Sequence, residues 1–477
     1  MNSNPPVAAL ARNAVGLPTV LMQSVAQIAP AFGILSTLSF NTQLAGLAAP
    51  STYLVAFVIA LMVAVTLGQL ARWLPSAGGF YTYVSATVGP RSGFLVGWVY
   101  SGFVAIIPGA IALYSASIVC TEVRRSFGVA ISWQFLGLAL IAIATWVAYR
   151  GIRVSGTALM LLSLVEVLIL IALSIGGLIS PGPGGFSTAG LNPWSAPSSN
   201  GFYLAVVFSI FAFTGWEGAA AIAEETRDPR RQIPRAIFWS VTLLGGFYVF
   251  CAWGLQVGWG TRTLAILAHS TDNPALILAN RLWGSGSALV LLAFMNSAVA
   301  VCIACAVDAS RNWFAMARAG ALPRSLAFVH PTFQTPSRAV MVQSIVTLGV
   351  GFGLARWIGA DQAFFVMGLA GTLVYAAVYC LGNLGVMRYF WRIRRDRFRP
   401  SLHLVLPLVS IAVLIWLACT SLVPLPDPPV RYAPLIAILL LSTGGLALLK
   451  LHLDGHDEWK MLAGQVFDEN VSDEGRS

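Results

Sequence analysis

Charged residues are scarce in this sequence: they make up 10% of its 477 residues, whereas 57% are hydrophobic. Soluble domains carry about 25% charged residues, so a soluble protein of this length is excluded. Histidine is also scarce, with five residues, all in predicted loops or near the ends of hydrophobic segments. No zinc-binding set can be assembled from them, and we expect neither a metal nor another cofactor.

The six cysteines all lie within predicted hydrophobic segments. Cys302 and Cys305 match the C-x-x-C spacing, but inside an apolar helix two cysteines are better explained as small packing residues than as a redox pair. No nucleophile–base pair or metal set is predicted at membrane depth, so we do not expect an enzyme. No short apolar region followed by a cleavage site is found near the N-terminus, so no removable signal is expected.

Hydrophobic segments long enough to cross a membrane fill most of the chain. A membrane-spanning helix needs about 20 apolar residues. About twelve such segments are predicted, at roughly 15–43, 50–73, 93–121, 132–150, 155–179, 201–226, 236–258, 285–310, 338–356, 361–390, 402–423 and 432–451. The sequence therefore predicts an all-α integral membrane protein with a short N-terminal tail (1–14), one transmembrane domain (15–452) and a C-terminal tail (453–477). The acidic tail from Asp454 onward is expected to be disordered.

The net charge of +10 is distributed unevenly between alternate loops. One set of loops contains Arg72, Arg91, Arg150, Arg153, Arg227, Arg230, Arg231, Arg235, Arg318, Arg324, Arg338 and the run from Arg388 to Arg399. The other set contains only Arg124, Arg125, Arg262, Arg281, Arg356 and Arg431. Arginine-rich loops stay in the cytoplasm, so both termini are predicted to be cytoplasmic, in a plasma membrane. No basic groove with interleaved aromatic residues is found, which argues against nucleic acid as a partner.

Two of the predicted spans are interrupted near their middle. In the first span, Pro30 lacks an N–H group and Gly33 follows three residues later, which favours a break. In the sixth span, Gly215 and Gly218 flank Trp216 and Glu217, and a carboxylate at mid-membrane depth costs about 2.5–3.5 kcal/mol. Paired interruptions five spans apart predict a 5+5 inverted repeat, with spans eleven and twelve outside it and a binding site at the midplane.

Glu166 and Asp308 are two of the further acidic residues that lie within predicted spans. Glu166 has apolar neighbours for more than a turn on each side, so it needs a cation, a hydrogen-bond donor or a proton. It is either a structural acid or a group that takes part in coupling. Asp308 is three residues from Arg311, and pairing of these two on one helix face is slightly favoured over a coupling role.

Several motifs occur in the order typical of one family. They are the broken first span around Pro30, PSAGGFYTYV (75–84) followed by GFLVGW (93–98), FAFTGWEGAAAIAEETRDPRRQIPRAI (211–237), and SRNWFAMARAGALPRSLAFVHPTFQTPSRAV (310–340). The third is long and specific. On these motifs the chain resembles the amino acid–polyamine–organocation (APC) superfamily of permeases over nearly its whole length.

The resemblance implies a secondary transporter that binds an amino acid or amine between two unwound stretches. Carried over to this sequence, the first stretch is Ala29, Pro30, Ala31, Phe32, Gly33 and Ile34. The second is Phe211, Ala212, Phe213, Thr214, Gly215 and Trp216. Free N–H groups at a half-helix favour a carboxylate and free carbonyl groups favour an ammonium, so one zwitterion satisfies both. Glu217 corresponds to a glutamate linked in the family to gating and proton sensing.

The sequence departs from the family pattern at two points. The first span reads A-P-A-F-G-I instead of a glycine-rich pattern, so the carboxylate contacts are expected to differ. Glu166 stands where many relatives have a lysine whose ammonium replaces a sodium ion. An acid at this position favours proton coupling, through Glu166 and Glu217, over the substitute-cation role.

The predicted function is therefore transport of an amino acid by alternating access, coupled to protons as symport or exchange. The alternative is a polyamine or other cationic amine carried by the same fold. Such a ligand needs carboxylates at both ends, and Glu217 and Glu166 are the two available at depth. A membrane-embedded enzyme and a non-transporting sensor are disfavoured, because the chain has neither a catalytic set nor room for a signalling domain.

Overall fold

The computed structural model describes residues 10–264, 273–423, 425, 427–455 and 458–464, and of residues 126 and 127 it describes the backbone alone. Within these ranges every regular element is a helix, apart from one isolated bridge between Val15 and Thr226. The all-α prediction is confirmed. Most of the predicted N-terminal tail and the end of the C-terminal tail lie outside the described residues.

Seventeen α-helices are described in these ranges. The first half of the chain contains α1 (Leu17–Ile28), α2 (Pro30–Ala45), α3 (Ala49–Trp73), α4 (Phe80–Thr87), α5 (Pro90–Phe127), α6 (Trp133–Tyr149) and α7 (Ile152–Ile179). The remainder contains α8 (Ser199–Phe213), α9 (Gly218–Ala221), α10 (Pro229–Trp259), α11 (Pro274–Trp283), α12 (Ala288–Arg318), α13 (Ser337–Ile358), α14 (Ala360–Arg392), α15 (Leu406–Leu422), α16 (Ala433–Leu453) and α17 (Trp459–Leu462). A single π-helical turn, Ser401–Val405, leads into α15.

Ten helical segments among the described residues are long and apolar enough to cross a membrane. The first of them, Leu17–Trp73, combines α1, α2 and α3 and so contains two predicted spans. A shorter apolar helix, Trp133–Tyr149, matches the predicted span at 132–150. These segments account for all twelve predicted spans and show a multi-pass membrane protein.

The interrupted segments lie at the centre of the bundle. In Ser199–Ala221, 89% of the most apolar stretch is buried, whereas in Val430–Leu453 only 11% is. The last span therefore lies at the surface of the bundle, and α8 and α9 are enclosed by other helices. Unpaired backbone groups are tolerated at membrane depth only in such an interior position.

The start of the C-terminal tail is not disordered. Helix α17 packs on the body of the protein, with Trp459 only 2% exposed. Its indole ring lies 5.7 Å from the ring of Phe94. The prediction of disorder from Asp454 onward is therefore wrong for residues 458–464, because one tryptophan provides enough apolar area to anchor this short segment.

Candidate functional site

The first interruption is a single residue, Ala29, between α1 and α2. Its backbone has φ 56° and ψ 72°, in the left-handed region. Pro30 begins α2, and the amide of Gly33 already donates to the Ala29 carbonyl at 2.7 Å. The predicted unwound stretch from Ala29 to Ile34 is therefore wrong beyond Ala29. Proline fits the first turn of a helix, so Pro30 starts a new helix instead of extending the break.

The second interruption covers residues 214–217, between α8 and α9. Gly215 has φ 116°, a conformation available to glycine and strained for other residues. The predicted unwound stretch Phe211–Trp216 agrees with the structure from Thr214 onward. It is wrong for residues 211–213, which form the last turn of α8. The chain leaves the helix only at Thr214, next to Gly215, whose positive φ permits the turn.

The two interruptions are in contact with each other. A Cβ atom at Gly215 would lie 2.6 Å from the carbonyl carbon of Gln27, so only a glycine permits this approach. The Ser24 hydroxyl donates to the carbonyl of Trp216 at 2.6 Å. Two broken helices from different halves of the chain therefore meet at one point inside the bundle.

Tyr248 of α10 joins the carbonyl groups of both interruptions. Its hydroxyl lies 3.0 Å from the carbonyl oxygen of Ala212 and 3.4 Å from that of Ile28. A Cβ atom at Gly33 would overlap this hydroxyl, which explains the need for glycine there. One hydroxyl has one proton to donate, so it satisfies only one of these two acceptors at a time.

Side chains already bind the first free amides of α2. The N–H group of Ala31 donates to Glu166 Oε2 at 3.1 Å, and that of Phe32 donates to Ser297 Oγ at 3.1 Å. Glu166 is completely buried on α7, and its Oε1 has no hydrogen-bond partner among the described residues. These amides are thus occupied in this conformation, so a substrate carboxylate reaches them only by displacing a side chain.

Glu217 connects the second interruption to α14. Its Oε2 accepts hydrogen bonds from the Gly215 amide at 3.2 Å and from the Tyr379 hydroxyl at 2.9 Å. The rings of Trp216 and Tyr379 stack with centroids 5.2 Å apart. Glu217 is 3% exposed, and its Oε1 has no partner in the described part of the chain. A proton bound there would change the link between the interruption and α14.

Asp308 has three hydrogen-bond donors, and none of them is Arg311. Its Oδ2 accepts from Gln27 Nε2 at 2.7 Å and from the Tyr100 hydroxyl at 2.6 Å, and its Oδ1 accepts from Asn312 Nδ2 at 2.7 Å. Arg311 instead forms a fully buried ion pair with Glu225. The favoured pairing of Asp308 with Arg311 is therefore wrong, because a carboxylate after α9 competes successfully for the guanidinium.

A small cavity lies between the two interruptions, with a volume of about 40 Å³. Of the predicted site residues, those that line it are Ala29, Phe32, Gly33, Phe211, Ala212 and Thr214. The residues that do not line it are Pro30, Ala31, Ile34, Phe213, Gly215, Trp216, Glu166, Glu217 and Asp308. Other lining residues include Gln27, Thr37, Phe103, Cys305, Phe364 and Tyr375. Ligand pockets usually measure about 300–1,000 Å³, so in this conformation the cavity is too small for a ligand of ordinary size.

One end of the molecule is closed by backbone pairing and ion pairs. The segment before α1 bonds to the segment after α9: the amides of Ala14 and Val15 donate to the Glu225 carbonyl, and the Arg227 amide donates to that of Val15. Glu224 accepts two hydrogen bonds from Arg318, at 2.6 and 2.8 Å. These contacts hold both broken helices against α12 at the same end.

Several contributors to the site were not predicted as site residues, among them Gln27, Tyr248 and Ser297. Gln23 and Gln27 are four apart on an otherwise apolar helix, and this polar face was a usable signal. Tyr248 lies in an aromatic run with no signal of its own. No cluster of three or more histidine, cysteine, aspartate or glutamate residues suited to a metal exists in the described ranges.

Two spans broken at facing positions, with a small buried cavity between them, are typical of secondary transporters. The chain belongs to the amino acid permease family: the model of that family, described as "Amino acid permease", matches residues 15–443. This match confirms the resemblance drawn from the motifs.

Three relatives illustrate the range of the family. The low-affinity putrescine importer PlaP of Escherichia coli (strain K12) is 27% identical over 401 residues, which cover 81% of this chain and 82% of the relative. The Asc-type amino acid transporter 1 of Mus musculus is 26% identical over 391 residues, covering 78% and 68%. An uncharacterized transporter of Mycobacterium tuberculosis (strain ATCC 25618 / H37Rv) is 29% identical over 373 residues, covering 76% of each chain.

Proposed function

We propose that this chain carries an amino acid across the plasma membrane by alternating access, coupled to protons as symport or exchange. The observation that carries the proposal is the contact between the two interruptions around one buried cavity. Transport of an amino acid agrees with the family to which the chain belongs. Coupling to protons and the residues that perform it are our own inference.

The backbone provides the chemistry for a zwitterion. The carbonyl groups of Ile28 and Ala212 are acceptors for an ammonium group, which has three protons where the Tyr248 hydroxyl has one. The start of α2 favours a carboxylate through its amides and its helix dipole. Glu166 accepts a hydrogen bond from the Ala31 amide in this conformation. The carboxylate of a bound substrate therefore replaces the carboxylate of Glu166 at this amide.

Proton coupling follows from where the buried carboxyl groups attach. Glu217 links the second interruption to Tyr379, and Glu166 links the first to α7. A protonated carboxyl group donates through one oxygen, whereas the ionised group only accepts. Binding a proton therefore changes the contacts of both broken helices. In this way proton binding is coupled to the opening of the two helices. Asp308 extends this network to α12 through Gln27.

Uptake by the purified protein in liposomes tests this function. With labelled leucine inside or outside, we expect accumulation driven by an inward proton gradient, or exchange that needs substrate on both sides. Flux that is the same with and without protein excludes transport of this substrate. Flux that is indifferent to the proton gradient in both modes excludes proton coupling and leaves the transport assignment standing.

A cationic amine is the second candidate substrate, and the charges at the site favour it. Glu166, Glu217 and Asp308 are all buried near the interruptions, although none of them lines the cavity in this conformation, and no basic side chain of the described residues lines it either. The putrescine importer among the relatives agrees with this candidate. Competition by unlabelled leucine, arginine and putrescine distinguishes the two candidate substrates. Leucine inhibits uptake by an amino acid permease, whereas putrescine inhibits uptake by an amine permease.

The topology is also proposed. We infer cytoplasmic termini from the distribution of arginine between loops, with tails at 1–14 and 453–477 around one domain at 15–452. A phosphatase fused after residue 477 is active only outside the cytoplasm, and a fluorescent protein fused there folds only inside it. Fluorescence without phosphatase activity is the expected result, and the reverse pattern refutes the orientation.

A further inference from the structure

A groove on the surface of the bundle lies where α14 ends and α15 begins, remote from the cavity. It has a volume of about 280 Å³. Arg388, Arg392 and His403 line it together with apolar side chains, and none of its lining residues in the described part of the chain is acidic. The groove therefore combines a positively charged part with a lining that is otherwise apolar.

The groove lies at the end of two candidate membrane spans, Ala360–Arg392 and Ser401–Leu422. Leu384 and Leu404 line it, belong to these two spans and are 43% and 36% exposed, so they present apolar surface on the outside of the bundle. Trp391, 56% exposed, also lines it and is suited to the membrane interface. A ligand here meets guanidinium groups and hydrocarbon within one groove.

His403 provides a second, independent observation. The backbone amide of Arg399 donates to His403 Nδ1 at 2.9 Å, so in a neutral ring the proton lies on Nε2. The side chain is 3% exposed, and Nε2 has no hydrogen-bond partner among the described residues. The ring is fixed against Phe390, with ring centroids 3.7 Å apart. A buried donor without a partner indicates a missing acceptor.

The neighbouring charges do not neutralise the groove. Asp396 lies in the same arginine-rich segment, but its carboxylate pairs with Arg394 at 3.2 Å and Arg397 at 3.4 Å. Arg388 donates one hydrogen bond to the Val88 carbonyl at 3.2 Å, which fixes its direction and leaves further N–H donors. Two guanidinium groups one helical turn apart can bind one phosphate.

We propose that this groove binds an anionic phospholipid, with its phosphate between Arg388, Arg392 and His403 and an acyl chain along Leu384 and Leu404. Basic pockets between spans are suited to anionic headgroups. The apolar wall selects a lipid over a soluble phosphate. The site is independent of the substrate cavity and of the proposed transport function.

Lipid binding to the purified, detergent-solubilised protein tests the proposal, by native mass spectrometry and thermal shift at about 0.15 M salt. The probes are dioleoyl phosphatidylglycerol, dioleoyl phosphatidylcholine and glycerol 3-phosphate. Wild type is expected to bind phosphatidylglycerol and to gain thermal stability from it. Phosphatidylcholine and glycerol 3-phosphate are expected to bind at least about tenfold more weakly.

Two double variants separate the groove from general attraction to positive charge. R388Q/R392Q is expected to weaken phosphatidylglycerol binding about tenfold or more. R395Q/R397Q removes the same charge from arginines that do not line the groove, and it should stay within about threefold of wild type because it removes only long-range attraction, which salt screens. H403F keeps an aromatic ring beside Phe390 and removes both ring nitrogens, the Nε2 donor and the Nδ1 acceptor of the Arg399 amide, so it tests the site even if R388Q/R392Q does not fold.

Three results overturn the proposal. One is phosphatidylglycerol binding by R388Q/R392Q and H403F within about threefold of wild type. Another is equal weakening in the two double variants, which indicates diffuse electrostatics without a built site. The third is competition by glycerol 3-phosphate as effective as that by phosphatidylglycerol, which indicates a soluble phosphate as the ligand.

Discussion

The carboxylate of Glu166 accepts a hydrogen bond from the amide of Ala31 at 3.1 Å, and so a side chain of α7 binds the start of α2. This amide is one that the sequence suggested for a substrate carboxylate. A movement that separated α2 from α7 would have to break this hydrogen bond. The relationship makes Glu166 a positioning residue for α2 as well as a candidate for proton coupling.

The Glu166 contact predicts a difference between two substitutions. Glu166→Ala leaves the Ala31 amide buried without an acceptor, which should lower the unfolding free energy by about 1–3 kcal/mol. Glu166→Gln retains an acceptor oxygen, so its unfolding free energy should fall by less. Thermal unfolding in detergent measures both. Equal stability of Glu166→Ala and wild type would mean that water or a backbone shift replaces this hydrogen bond.

Glu217→Gln is predicted to abolish the pH dependence of uptake while some exchange remains. In a proton symporter, uptake rises as the external pH falls; the glutamine cannot ionise and should flatten this profile, because its amide imitates the protonated acid. Asp228→Asn is the matched control, since Asp228 is exposed and asparagine tolerates its left-handed backbone (φ 44°). A wild-type pH profile in Glu217→Gln rules out this coupling role.

Gly33→Ala is predicted to impair folding or transport by driving a methyl group into the Tyr248 hydroxyl. Tyr248→Phe removes that oxygen, so it should partly rescue the alanine variant, with a coupling energy of about 0.5–3 kcal/mol. Gly246→Ala is the control, because nothing lies within 4 Å of a Cβ at that position on α10. Additive effects of the two substitutions on thermal stability contradict the proposed overlap.

The buried ion pair predicts that replacing Arg311 lowers the unfolding free energy more than replacing Arg318 does. Arg311→Met leaves Glu225 buried and unpaired, which should cost about 3–5 kcal/mol of unfolding free energy. The double variant Arg311→Met/Glu225→Gln should recover most of that loss. Arg318→Met should cost less, about 1–3 kcal/mol, because its side chain is 37% exposed and water can replace it beside Glu224, which also accepts a hydrogen bond from the Ala77 amide. Chemical unfolding curves measure all three, and similar losses for both single variants disagree with this assignment.

The sequence predicted the spans and the two interruptions because both depend on local chemistry. Apolar length identifies a span, and Pro30 and Gly215 disturb a helix wherever it lies. The extent of each interruption depends on packing and was overestimated. Pro30 starts a helix once Ala29 takes the left-handed conformation, and residues 211–213 remain helical because their aromatic rings pack inside the bundle.

The partners of the buried polar groups were beyond the reach of sequence alone. Asp308 and Arg311 are neighbours on a helix face, yet each binds a residue far along the chain. A spacing of three residues offers at most a few tenths of a kcal/mol, which a better-aligned buried partner exceeds. The hydroxyl of Tyr248 illustrates the same limit, since nothing near it in sequence indicates two distant carbonyl groups.

The bridge between Val15 and Thr226 makes the two broken helices depend on each other mechanically. When α1 swings outward, it either carries the segment after α9 along or first loses the backbone bonds of Ala14, Val15 and Arg227. Those three amide hydrogens thus form a natural reporter of this movement. The rate at which these amides exchange with deuterium reports how often the segment before α1 separates from the segment after α9, with no probe attached to the protein.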